Sequence, residues 1–182
     1  MHFLEKELSW LSFNHRVLQE AQDDSVPLLE RFRFLGIYSS NMDEFYRVRV
    51  ANVRREILLS KNKKNEQASN LFNKIQDKVI SLQITFDETY QLLLEQLELN
   101  SIRLINELQL SSTQSTWLNQ YFKDKIRRHI FPLILNDQTT LTDHINDDAT
   151  YLMVAMKKDD LCQYALVEVP SNSASRFLIL PS

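Results

Sequence analysis

Seven residues, Ile75, Val79, Leu82, Phe86, Thr89, Leu93 and Leu97, follow one another at steps of four and three. That is one helical face carried through about six turns. It commits the middle of the chain to a helix from about Leu71 to Leu99, roughly 43 Å long at 1.5 Å per residue. A helix of that length must lay its stripe on something. Thr89 interrupts the apolar seam and the flanking charges are irregular, which favours packing against shorter helices of the same chain over a coiled coil with a partner.

Shorter helices precede it. Leu4, Leu8, Leu11 and Leu18 repeat at helical spacing, with Trp10, Phe13 and Val17 widening the stripe. Ser25 and Pro27 punctuate, a capping serine and a proline tolerated in a first turn. A second helix is predicted through Leu28, Leu29, Phe32, Leu35 and Ile37, with Gly36, the only glycine of the chain, near its end. A third is predicted to begin near Asn41, where Asn41 and Glu44 have the spacing of an N-cap pair. Tyr46, Val50, Val53 and Ile57 form its expected buried stripe. The polar, basic "SKNKKNEQ" (60–67) has no periodicity and reads as a loop.

The pattern changes near residue 101. "SIRLI" (101–105) is short and partly alternating. Ser111 and Gln114 form a capping box opening a helix that carries Trp117, Leu118, Phe122, Ile126 and Ile130 and is ended by Pro132. Three strand-like runs follow: "TYLMVAM" from Thr150, "CQYALVEV" from Cys162 and "RFLIL" from Arg176, the first two joined by "KKDD" as a hairpin. The predicted fold is therefore mainly α: an N-terminal helical bundle over residues 1–100, then over 101–182 the start of a small α+β domain with antiparallel strands.

Catalytic constellations are hard to assemble from these residues. One glycine excludes a glycine-rich phosphate loop. The single cysteine, Cys162, excludes an internal disulfide and a cysteine-based metal site, and reads as a small buried apolar residue. The four histidines, His2, His15, His129 and His144, have no partner at metal-ligand spacing, so no metal ligand is assigned. His129 falls in a helix C-terminal turn, which favours a protonated ring. Asp23–Asp24, Asp147–Asp148 and Asp159–Asp160 read as solvated turn residues. No window has the length of a membrane span and no signal peptide opens the chain, which fits a cytoplasmic protein and leaves peripheral membrane contact open. Residues 26–64 hold nine Lys or Arg against four Asp or Glu, a basic segment in a mildly acidic chain. Solvated helix faces are the commoner reason for such a surplus; a local anionic partner is the functional one.

Three stretches narrow the choice. "EKELSWLSFNHRVLQEA" (5–21), "VPLLERFRFLGIYSSNMDEFYRVRVA" (26–51) and the later "QYALVEVP" with "RFLILP" closely resemble the N-terminal part of bacterial polyphosphate kinases of the long-chain-synthesising type. The resemblance implies reversible transfer of the ATP γ-phosphate to polyphosphate, with Mg²⁺ and a phosphohistidine intermediate. It implies a helical N-terminal domain, the beginning of a head domain that helps form a homodimer, and catalytic residues, the nucleophilic histidine among them, outside this chain. It also implies that the asparagine of the family's S-N-x-D-E-F stretch, Asn41 in "SSNMDEF", contributes to ATP binding. An amide suits a purine edge because it offers a donor and an acceptor without charge. Ser40 stands where a second asparagine is common. Two other classes remain as alternatives: a stand-alone helical interaction module that uses the long helix, and a nucleic-acid-binding domain that uses the basic segment.

Overall fold

The computed structural model describes residues 5–59, 63–136, 140, 142, 144–159 and 161–181. The chain divides into two compact units, Met1–Leu104 and Ile105–Ser182.

The first unit is helical: α1 (Lys6–Gln22), α2 (Leu28–Glu44), a π-helical turn (Phe45–Val50), α3 (Ala51–Leu59) and α4 (Lys63–Leu99). Paired contacts fix the packing. Arg31 reaches Ala21 beside the α1–α2 turn, and Asn14 reaches Tyr38 farther along, so α1 and α2 are antiparallel. Tyr38 stacks on Phe86 and Phe32 meets Tyr90 edge-on, so α4 returns antiparallel to α2. The core between them holds Leu11, Leu18, Leu35, Tyr38, Phe45, Val50, Val53, Ile75, Leu82 and Leu93. Thr89 belongs to the α4 seam after all. It is buried, and its hydroxyl donates to the Thr85 carbonyl at 2.7 Å, so the helix itself satisfies it.

The expected break between a second and a third helix does not exist. Backbone helix continues from Leu28 to Leu59, Gly36 lies inside α2 without a positive φ, and Asn41 sits in the last turn of α2 and caps nothing. The buried stripe explains why the pattern looked broken. Leu35, Tyr38 and Phe45 follow helical spacing, but the next buried residue, Val50, comes five positions later. Five residues of α-helix rotate about 140° past a full turn, which would aim Val50 away from the core. The π-helical turn absorbs the excess: the Ala51 N–H donates to the Tyr46 carbonyl, five residues back. Phe45 and Val50 thus both face inward, whereas Tyr46, expected on the stripe, is exposed.

Gly36 is therefore a glycine in an exposed helix interior, and a Cβ there would meet nothing within 4 Å. Gly36→Ala is expected to raise stability by about 0.5–1 kcal/mol, read as a higher urea midpoint at an unchanged slope. A loss of stability would mean that the backbone at this position is not helical.

Other boundaries shift for local reasons. Ser25 does not cap α2. Pro27 occupies the N-cap, and the Ser25 N–H instead donates to Asp23 Oδ1 at 2.8 Å inside the connecting turn. Phe13 is exposed because the α1 stripe runs through Leu11, Asn14 and Leu18; Leu4 lies outside the described residues. Of the expected loop, residues 63–67 are the first turn of α4, whose stripe extends back to buried Ala68, seven positions before Ile75. Residues 60–62 lie outside the described set.

In the second unit the capping box is present. Gln114 N–H donates to Ser111 Oγ at 3.2 Å and Ser111 N–H to Gln114 Oε1 at 3.1 Å, opening α5 (Ser112–Tyr121). A π-helical turn (Phe122–Ile126) and a 3₁₀ turn (Arg127–His129) end the helical run before Ile130. Pro132 starts a strand and does not itself end the helix. Its ring favours an extended residue before it, and β1 (Pro132–Leu135) follows at once. The sheet is antiparallel in the order β1-β3-β2, with β2 at Tyr151–Lys158 and β3 at Leu161–Glu168. Lys158 pairs with Leu161, so the hairpin turns over two residues; Asp159 takes φ 54°, a left-handed conformation that aspartate tolerates. "RFLIL" joins no ladder among the described residues. Ala165 and Leu166 of central β3 are buried between strands already paired on both sides, and Phe177 and Ile179 stay exposed. The segment is tied back instead by Gln114 Nε2, which donates to the Pro181 carbonyl at 3.3 Å. Cys162, expected to be buried, is exposed on β3.

Candidate functional site

Asn41 projects from α2 one turn after Tyr38, so the two share a face that meets α1. The residue opposite is Asn14, which stands between Leu11 and Leu18 on the α1 stripe and is fully buried. Asn14 Nδ2 donates to the Tyr38 carbonyl at 3.2 Å. Asn14 Oδ1 accepts from Asn41 Nδ2 at 2.9 Å. Two amides and one backbone carbonyl thus make a short polar chain that runs from the core toward the surface, since Asn41 is only half-buried. Aromatic rings lie beside it. Trp10 stacks on Phe45 at 4.7 Å, Tyr46 meets Phe45 edge-on, and Tyr38 stacks on Phe86. In such surroundings an unmade hydrogen bond is expensive, and no buried side-chain N or O among the described residues lacks a partner.

The same packing acts on the phenols. Burial first, and the neighbouring Tyr46 second, push the Tyr38 hydroxyl up to about 12, and burial also raises Tyr46. An unfolded phenol ionises near 10. The folded phenol does so only near 12, so this stabilisation is complete below pH 10 and is lost as pH rises from 10 through 12. Tyr38→Phe is expected to match the wild type at pH 7 and to lose less stability across that alkaline window. Identical alkaline denaturation curves would contradict this.

Asn41 is the one ligand-contact residue assigned from sequence, and the structure brings it to Asn14, not to a helix start. Sequence reasoning passed over Asn14. The available signal was an amide occupying a core position of a leucine stripe. The other candidates lie elsewhere. Burial, then Lys78 of α4, lowers the pKa of His15 on α1. His129 Nε2 accepts from Arg128 Nε at 3.1 Å, so its ring is engaged by its own neighbour in the 3₁₀ turn. Asp23 is held below the usual carboxylate range by its Ser25 hydrogen bonds, and Asp24 pairs with Arg31, so this doublet organises the α1–α2 turn. Arg31 itself, one of the basic residues of 26–64, is buried and committed to structure. Arg33 pairs with Glu30 across one helical turn. Among the described residues no group of three or more His, Cys, Asp or Glu converges to hold a metal, and no helix is long and apolar enough to cross a membrane. A cleft of about 410 Å³ lined by Leu8, Ser12, Lys74, Asp77, Lys78 and Ser81 does not include Asn41.

Known proteins supply the remaining observation. Residues 3–105 match the profile described as the polyphosphate kinase N-terminal domain. Residues 113–182 match the polyphosphate kinase middle domain. The chain belongs to the polyphosphate kinase family. It is 50% identical over 180 residues to the polyphosphate kinase of Escherichia coli (strain K12), a match covering 98% of this chain and 26% of that protein. It is 49% identical, at the same coverage, to the polyphosphate kinase of Salmonella typhimurium. The crystal structure of polyphosphate kinase from Porphyromonas gingivalis superposes with a TM-score of 0.76 at 30% identity, covering all of this chain and 27% of that one. The chain thus spans about a quarter of the length of the curated polyphosphate kinases it matches.

Proposed function

We propose that this chain serves as the N-terminal portion of an enzyme that reversibly transfers the γ-phosphate of ATP to polyphosphate, and that Asn41 contacts the ATP. In this reading residues 1–100 are the N-terminal domain and residues 101–182 the beginning of the head domain, through which the enzyme forms a homo-oligomer in the cytoplasm. The observation that carries the Asn41 assignment is its anchoring. Asn14 holds one end of the Asn41 amide at 2.9 Å while the side chain stays half-exposed. A side chain fixed before its ligand arrives loses little rotamer entropy on binding. Being uncharged, it meets a purine without adding negative charge near a triphosphate. Mg²⁺ would supply charge neutralisation to the phosphates of this reaction class. No residue of this chain and no step is assigned to the ion.

The test uses γ-labelled ATP with Mg²⁺. The full-length protein carrying this chain is expected to convert the label into acid-insoluble polyphosphate. Residues 1–182 alone are expected neither to retain label nor to make polymer. Label bound covalently to residues 1–182, or no polymer from the full-length protein, would contradict the proposal.

A further inference from the structure

We propose that Asn14 is a positioning residue that decides which atom of Asn41 faces the nucleotide, and thereby favours an amino-purine over a keto-purine. This rests on the assignment of Asn41 to ATP. The hydrogen bonds leave one consistent orientation. A backbone carbonyl only accepts, so Asn14 must turn its NH₂ toward Tyr38 O, where Nδ2 lies at 3.2 Å. Asn14 Oδ1 then faces Asn41, which can satisfy it only by presenting its own NH₂, at 2.9 Å. Asn41 Oδ1 is thereby left on the far side of its amide. It accepts no hydrogen bond from the described residues and is not a buried orphan.

An outward carbonyl oxygen recognises a donor. Adenine offers one in its exocyclic amine, whereas a keto-purine places a carbonyl oxygen at the same position. Asn14 makes this choice without touching the nucleotide. If it were removed, the Asn41 amide could turn either face outward and the discrimination would fall.

The experiment measures kcat/KM for ATP and for inosine triphosphate, which carries the keto group, in the full-length enzyme. Asn14→Leu is expected to reduce the preference for ATP by roughly 2- to 12-fold, the range of one neutral hydrogen bond. The change should appear in KM more than in kcat. Asn14→Ala introduces no bulk and carries the same readout if Asn14→Leu does not fold. Asn14→Asp is expected to retain the preference, because one carboxyl oxygen still accepts the Asn41 N–H while the other, buried against the Tyr38 carbonyl, keeps its proton and donates to it. A residue that merely supports the fold would lower the melting temperature and leave the ratio alone. Wild-type preference in folded Asn14→Leu or Asn14→Ala therefore overturns the inference, as does loss in Asn14→Asp equal to that in Asn14→Ala. Asn41→Ala separates the two readings. If it leaves the ATP KM and the preference unchanged, both fail. If it abolishes the preference while the Asn14→Leu and Asn14→Ala variants keep it, only the role of Asn14 fails.

Discussion

Arg31→Met is expected to cost the helical unit about 2–4 kcal/mol, because it strips a hydrogen bond from the carbonyl of buried Ala21 and removes the ties to Gln22, Asp24 and Gln96. Arg31 is 3% exposed. Its Nε donates to the Ala21 carbonyl at 2.8 Å, and one terminal nitrogen reaches the Gln22 carbonyl at 3.4 Å. These are last-turn carbonyls of α1, which have no partner within that helix. The other terminal nitrogen bonds Asp24 at 2.7 Å and Gln96 of α4 at 3.0 Å, so a single guanidinium ties three helices at one end of the bundle. Methionine keeps most of the aliphatic volume but restores none of these bonds. Asp24 is exposed and does not become a buried orphan, which keeps the estimate below that for breaking a fully buried ion pair. A fall in Tm of roughly 10–25 °C corresponds to this loss. Arg31→Lys should fall between, since an ammonium cannot reproduce the planar fork. A methionine variant as stable as the wild type would refute the capping role.

Asn41→Asp is expected to destabilise the unit by about 2–3 kcal/mol, more than Asn41→Ala at about 1 kcal/mol. At a helix N-cap, aspartate substitutes for asparagine without loss, so equal stability would be the signature of a cap. The observed geometry demands the opposite. Aspartate would set a carboxylate oxygen about where Nδ2 now lies, facing Asn14 Oδ1 at 2.9 Å with no proton between them. Asn14 cannot turn its NH₂ toward that oxygen without abandoning the Tyr38 carbonyl. Alanine leaves Asn14 Oδ1 unpaired but adds no repulsion, and the half-open site lets water approach. The aspartate deficit should also shrink in acid. The apposed oxygen raises the folded-state pKa of that carboxyl, so below it the protonated group donates the missing hydrogen bond. Urea midpoints at pH 7 and pH 4 measure both effects. An Asn41→Asp midpoint equal to wild type at pH 7 would contradict the amide chain.

Periodicity made the long helix legible because α4 buries one face along its length, and the four-and-three rhythm of Ile75 to Leu97 records that burial directly. The Ser111–Gln114 capping box was equally readable, since both of its bonds are local. The β2–β3 hairpin was found from its two long β-rich runs. What failed were places where a period changes or a partner decides. The five-residue step from Phe45 to Val50 violates 3.6-residue spacing, so a continuous helix with a π-helical turn looked like two helices and a cap. Pro132–Leu135 pairs with β3, whereas the equally strand-like "RFLIL" pairs with nothing among the described residues. Composition does not distinguish them, because a strand is defined by its neighbour. The candidate site divides in the same way. Asn41 was picked out by the family pattern and not by its local spacing, which pointed to a cap. Asn14 stayed hidden because a lone amide among leucines has no local signature. Its meaning comes from Tyr38 and Asn41, on another helix.

The contribution of Asn41 to nucleotide binding is tested most directly by calorimetric titration of the full-length enzyme with a non-hydrolysable ATP analogue, comparing wild type with Asn41→Ala. A Kd raised roughly 2- to 12-fold is expected, with the unliganded variant still folded at the temperature of the titration. An unchanged Kd in the folded variant would contradict the assignment and leave Asn41 as a partner of Asn14 alone.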